Sequence, residues 1–240
     1  MTVHQRIGRA LAAGAGSLDE AAGKDILASY GIAVPRNRTV SDAAGLREAA
    51  AALTPPFALK IVSATILHKS DVGGVRLGLR DADEAVAAQE AMAAALADRG
   101  LAADAWLLEE MVPPGVELVV GGLNDPQFGP MVMAGLGGIF IEVMKDVAFR
   151  ICPITRRDAA EMLEELQGAP LLRGARGRPP VDMAAVVDAL MRIGGPDGLL
   201  MHHAGALSEL DINPLIATPQ GAFAADARFI LRPADDSGKA

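Results

Sequence analysis

Residues 57–79 read FALKIVSATILHKSDVGGVRLGL. The first six, FALKIV, have the β-branched and apolar content of a strand, with one charge, Lys60, set among them. A lysine within a buried strand needs a partner for its charge. The glycine-bearing SATILHKSDVGG then leads into the alternating VRLGL, and Asp81 opens an alanine-rich helix that runs to about Arg99. The local order is strand, loop, strand, helix. Upstream, Ser41-Asp42 caps another alanine-rich helix that stops before Pro55-Pro56, and Ser17 with Glu20 has the spacing of a capping box. The stripe Leu18, Ala21, Ala22, Ile26 and Leu27 behind it ends at Gly31, a C′ glycine. Downstream come AWLLEEMV from Ala105, the break Pro113-Pro114-Gly115, and then VELVVGGLN, DPQFGP and MVMAGLGGIFIEV. The Pro-Pro-Gly break predicts that the runs on its two sides are antiparallel neighbours. Two helices are expected from Thr155 to Gln167 and from Asp182 to Ile193. The final strands, LSELDINPLIA and AFAADARFIL, are joined by the turn Thr218-Pro219-Gln220-Gly221, and 233–240 reads as a flexible tail.

Composition excludes several classes of function. In 240 residues, 22 Lys+Arg stand against 30 Asp+Glu, a net charge of −8. An acidic chain with only 3% aromatic residues neither neutralises a phosphate backbone nor offers stacking platforms, so nucleic acid is not an expected partner. The single cysteine, Cys152, rules out an internal disulfide and a zinc site built on a thiolate pair. No apolar run reaches the ~18 to 20 residues of a membrane span, and the first residues lack a continuous apolar signal-peptide core. The sequence reads as cytoplasmic and globular, with no membrane attachment.

Four groups of residues could carry chemistry. Lys60 beside a loop containing Gly73-Gly74 suits phosphate, an ammonium point charge with unhindered backbone N–H groups; the competing reading is an edge strand with Lys60 toward water. His68 in HKSD could be a general base or a phosphoryl-accepting nucleophile, or a solvated loop side chain; His202-His203 is a second candidate, otherwise a surface turn. Glu209, Asp211 and Asn213 fall at i, i+2 and i+4 of a strand and so share a face, and a hairpin would bring Asp226 to it. Such oxygen donors suit Mg²⁺; a plain solvent-facing strand is the alternative. Glu109, Glu110 and Val112, followed by Glu117, could form a hinge that reads adenine and ribose. The run Gly135 to Gly138 ahead of Glu142 lacks the G-x-G-x-x-G spacing, which argues against a dinucleotide site.

In order, EAAGKDILASYGIAVP, FALKIVSATILHKSDVGGVRLGL, LLEEMVPPGVELVVGGLNDPQFGPMVMAGLGGIFIEVMKDVAFRICP and LSELDINPLIATPQGAFAADARFIL resemble the ATP-grasp (β) subunit of ADP-forming acyl-CoA synthetases, the acetate:CoA ligases related to succinyl-CoA synthetase β. The resemblance covers roughly Ser17 to Arg232. It implies an α+β ATP-grasp fold of two mixed lobes with nucleotide between them: a smaller lobe at 37–107 and a larger one from 1–36 with 108–232. It further implies that Lys60 contacts ATP or ADP phosphates under a loop around Ser70, Gly73 and Gly74, that Glu110 and Val112 border adenine and Glu117 the ribose, and that Asn213 and Asp226 hold Mg²⁺. Asp211 would face a phosphohistidine of the partner, and His68 would carry the phosphoryl group to it; the succinyl-CoA branch has no such histidine in its loop. Fused relatives carry a CoA-binding half for which 240 residues leave no room, so a separate CoA-binding α subunit with its own phosphorylatable histidine is the expected partner. Two other activities fit the residues less fully: an ATP-grasp carboxylate ligase that forms an acyl phosphate without a protein phosphohistidine, and a nucleotide-sensing module without turnover.

Overall fold

The computed structural model describes residues 1–63, 66, 69–138 and 144–232; His68, Glu142 and the tail 233–240 lie outside them. Two compact units emerge, one built from Met1–Val34 with the chain from Pro113 onward, the other from Pro35–Val112.

The larger unit opens with α1 (Val3–Ala12), β1 (Ser17–Leu18) and α2 (Glu20–Ser29). A capping box between Thr2 and Gln5 starts α1, a helix not foreseen in the sequence. Ser17 does not cap α2. It pairs with Ile230 as part of β1, and Asp19 takes the cap, its Oδ1 accepting from Ala22 N at 2.8 Å. Sheet pairing has overridden the local capping signature. Gly31 follows the helix at φ +78°, as a C′ glycine should.

The smaller unit runs β2 (Asn37–Val40), α3 (Ala43–Ala52), β3 (Phe57–Val62), β4 (Val75–Leu79), α4 (Ala82–Ala97) and β5 (Ala105–Glu110). Asp42 and Asp81 cap the two helices, accepting from Gly45 N and Glu84 N. The strands form one antiparallel sheet in the order β2-β5-β3-β4. Phe57, Leu59 and Ile61 alternate into a core with Leu46, Met92, Leu96, Trp106 and Leu108. Because β3 lies between β4 and β5, Lys60 sits on an interior strand and not on an edge facing water.

The larger unit resumes with β6 (Val116–Asp125), β7 (Gly129–Leu136), β8 (Val147–Ile151), α5 (Arg156–Glu165), α6 (Ala169–Leu172), α7 (Met183–Gly194), α8 (Leu199–His203), β9 (Leu207–Thr218), β10 (Gly221–Ala224) and β11 (Arg228–Leu231). Its antiparallel sheet has the order β1-β11-β9-β6-β7-β8, with β10 also paired to β9. The expectation that the strands flanking Pro113-Pro114-Gly115 are neighbours is therefore wrong: β5 and β6 belong to different sheets. Two prolines without N–H groups cannot continue a ladder, and here they carry the chain from one unit to the other. One side of the large sheet, including Val132, Ala134, Leu210 and Ile212, packs with Met162, Leu163, Leu190 and Ile193 of α5 and α7. The other side carries Gly121, Met133, Phe149, Glu209 and Asp211. No described helix is long and apolar enough to cross a membrane.

Candidate functional site

In the smaller unit, Lys60 is buried, and its Nζ lies 2.7 Å from Glu109 Oε1, both side chains less than a tenth exposed. Register explains the meeting. Lys60 is opposite Leu107 and Ala58 is opposite Glu109, so the two charges are diagonal neighbours on one face of the sheet. The glycine loop closes onto the same place: Gly74 N donates to Lys69 O at 2.7 Å, Gly74 O accepts from Ile61 N at 2.9 Å, and Val75 is opposite Lys60. Gly73 has φ +72°, and a Cβ on Gly74 would lie 2.6 Å from Ile61 Cδ1. Both glycines are thus required by the turn. Ser70 is exposed at the head of the short helical turn Ser70–Val72. The structure brings Lys60, Gly73 and Gly74 together.

Glu110 is already engaged. Its Oε1 accepts from Arg36 Nη1 and from Thr54 N, each at 2.8 Å, while its own N–H donates to Arg36 O. Its carboxylate ties β5 to the start of β2, and Val112 follows, half-buried.

In the larger unit, Glu117 is exposed on β6, and its carbonyl accepts from Gly137 N. A Cβ on Gly137 would come 3.2 Å from Glu117 Cβ and one on Gly135 2.8 Å from Asp146 O, so these glycines serve close packing. On β9, Glu209, Asp211 and Asn213 point away from the core while Leu210 and Ile212 are buried. The register shifts between Leu118 and Val120, opposite Asn213-Pro214, where Pro214 has no N–H to donate. The last strand candidate is not continuous. β10 follows β9 as a hairpin to Ala224, Ala225 N donates to Pro214 O, and β11 resumes with Arg228 opposite Asp211. Asp226 therefore sits in a break between two strands, alongside Asn213, with its Oδ1 accepting from Ala227 N at 2.7 Å.

Burial raises the Asp211 carboxyl above its ordinary value; Arg228 opposes the shift, and Glu209 and Asp226 add to it. Arg228 also reaches Glu209 Oε1 at 3.1 Å, and its Nε is buried without a hydrogen-bond partner. Asp211 and Glu209 line a hollow of about 260 Å³ above Gly121 and Gly122. Among the described residues, no three His, Cys, Asp or Glu side chains gather as a closed metal cage. By register Asn213 on β9 and Asp226 in the strand break are neighbours, and both carry hard oxygen donors of the kind that suits Mg²⁺, which completes its shell with water and phosphate.

Sequence reasoning missed Glu109 as the partner of Lys60, and it missed Arg36 and Arg228. Only strand register reveals them. His202 and His203 belong to α8 and not to this cluster: Tyr30 Oη lies 3.0 Å from His202 Nδ1, and His203 is buried.

Against known proteins, residues 9–231 match the ATP-grasp domain family. The chain is 41% identical over 216 residues to the β subunit of ADP-forming acetate–CoA ligase I of Pyrococcus furiosus, covering 89% of this chain and 91% of that one. Among solved structures it is similar to acetyl-coenzyme A synthetase 1 of Ca. Korarchaeum cryptofilum, crystallised with coenzyme A, Ca-AMPCP and HgCl⁺ (TM-score 0.90, 39% identity, 96% of this chain and 100% of that chain). A second structure of that enzyme, with coenzyme A and Mg-AMPPCP and its phosphohistidine segment pointing towards the nucleotide binding site, gives a TM-score of 0.82 at 40% identity, with the same coverage.

Proposed function

The chain belongs to the ATP-grasp family, among the β subunits of ADP-forming acetate–CoA ligases, and from that premise we propose that it is the nucleotide-binding subunit of an ADP-forming acyl-CoA synthetase. Its reaction is the phosphoryl half of acyl-CoA + ADP + phosphate = acid + CoA + ATP, performed in the cytoplasm with a CoA-binding α subunit that carries a phosphorylatable histidine. The observation that carries this reading is the convergence of Asp211, Asn213 and Asp226 on the outer side of β9, from segments joined only by register.

Lys60, held in place by Glu109, meets the nucleotide phosphates together with the Ser70 hydroxyl, under the turn that Gly73 and Gly74 shape, their own amides being spent on Ser70 O and Lys69 O. Glu110 fixes the strand end, so that main-chain groups out to Val112 border adenine, and Glu117 accepts from ribose hydroxyls. Asn213 and Asp226 hold Mg²⁺, which neutralises phosphate charge when bound. In the ATP-forming direction, the partner's phosphohistidine gives up its phosphoryl group to His68, and the N–P bond on the partner breaks as one on His68 forms. A terminal oxygen of ADP then attacks that phosphorus, the His68 N–P bond breaks, and neutral imidazole returns. Asp211 accepts the N–H of the partner's imidazole and fixes its ring orientation. Preorganised charge of this kind is the main source of rate in phosphoryl transfer.

The test combines the chain with its α partner, acyl-CoA, phosphate and Mg·ADP and measures ATP formed. His68→Ala and Asp226→Ala are each expected to lower turnover by about 10² or more. Wild-type turnover in His68→Ala sinks the shuttle, and in Asp226→Ala it sinks the metal assignment.

A further inference from the structure

The mechanism leaves one buried charge pair unused. On α2, Lys24 Nζ lies 2.7 Å from Glu20 Oε1, with side chains 0% and 1% exposed. Removing two ions from water costs several kcal/mol each, and apolar residues of similar volume commonly pack such a site at no loss of stability. A pair this dry therefore asks for a reason other than stability.

Its position supplies one. Glu20, Gly23, Lys24 and Leu27 are buried and follow at i, i+3, i+4 and i+7, so they form one face of α2. That face meets the end of the chain: a Cβ on Gly23 would lie 3.0 Å from Phe229 Cδ2 and 3.4 Å from Ala227 O. The helix thus lies, at glycine distance, on the segment that breaks between β10 and β11. That break contains Asp226 and is not closed by the regular ladder: Ala225 N reaches back to Pro214 O, and the Asp226 carboxylate folds onto Ala227 N. A lysine ammonium has three N–H donors, and Glu20 takes one of them.

We propose that Glu20 and Lys24 are positioning residues for Asp226: Glu20 fixes the ammonium beneath the strand break, and Lys24 fixes the break so that the Asp226 carboxylate is presented beside Asn213. The pair acts through the backbone and the local field, without touching nucleotide. The inference rests on the proposed metal role of Asp226.

The discriminating variant is Glu20→Met/Lys24→Met in the full chain, studied by thermal unfolding and by calorimetric titration of ADP with Mg²⁺ and with EDTA. The expected result is a melting temperature at or above wild type, unchanged ADP affinity in EDTA, and Mg·ADP affinity at least tenfold weaker. Lys24→Met alone, which leaves Glu20 without this cation, should lower both melting temperature and Mg·ADP affinity. Wild-type Mg·ADP affinity in the double variant overturns the proposal and leaves the pair a packing feature. If the double variant does not fold, Glu20→Gln, which keeps volume and an acceptor oxygen, is read the same way: at least threefold weaker Mg·ADP binding supports the role, and no change overturns it. Asp226→Asn separates the two ideas. If it leaves the metal dependence of ADP binding intact, the metal assignment fails; if it removes that dependence while the pair variants do not, only the positioning role fails.

Discussion

Lys60 and Asp211 are two ionisable side chains that the fold holds in opposite ways. Lys60 is matched by Glu109 at 2.7 Å, so Lys60→Met deprives a buried carboxylate of this cation and should cost about 3–5 kcal/mol in urea unfolding, with nucleotide affinity lost as well. Asp211 is half-buried, and that partial burial works against its own ionisation. Its folded pKa is raised above the ordinary 3.8, so the favourable contribution belongs to the protonated form and is lost as pH rises through that range. At neutral pH the charge is a cost. Asp211→Asn should therefore raise the melting temperature at pH 7 while lowering ATP formation by about 10², a trade between stability and function at one atom. Lys60 could be singled out from the sequence because a charge amid FALKIV is anomalous. Glu109 could not, because nothing local says that Ala58 is opposite Glu109 until the strands are aligned.

Among the elements, the turn at Gly73-Gly74 that leads into β4 is tightly specified. A methyl on Gly74 would meet Ile61 Cδ1 at 2.6 Å and Lys69 O at 2.9 Å; the second contact is main chain and cannot yield like a side-chain tip. Gly74→Ala should destabilise by about 1–3 kcal/mol and lower ATP formation by displacing the turn beside Lys60. Strand β3, the capped helices α3 and α4, and the common face of Glu209, Asp211 and Asn213 were all legible, since each is written in local period and capping residues. The break at Ala225–Ala227 was not: AFAADARFIL contains neither glycine nor proline, and only pairing with two parts of β9 divides it. The misplaced partnership of β5 and β6 has the same origin, because strand composition does not say which sheet a strand joins.

For the whole molecule, acid should loosen the corner where α1, α2 and α8 meet. Burial, then His202 and His4, lowers the pKa of His203 below the usual 6.5. The folded chain consequently binds fewer protons than the unfolded chain, and stability is lost as pH falls through 6.5 toward the lower folded value. Melting temperature should decline from pH 7.5 to 5.5, and His203→Gln should flatten that part of the profile. The order of the chain through its two units has a kinetic consequence. The segment Pro35–Val112 leaves and returns by neighbouring antiparallel strands, with Glu110 N on Arg36 O and Asn37 opposite Glu109. To the remainder of the chain it is a loop that ties its own ends: once β2 and β5 pair, its length drops out of the loop-closure entropy of folding the larger unit, and β1 pairs with β11 across a separation shortened by that whole segment.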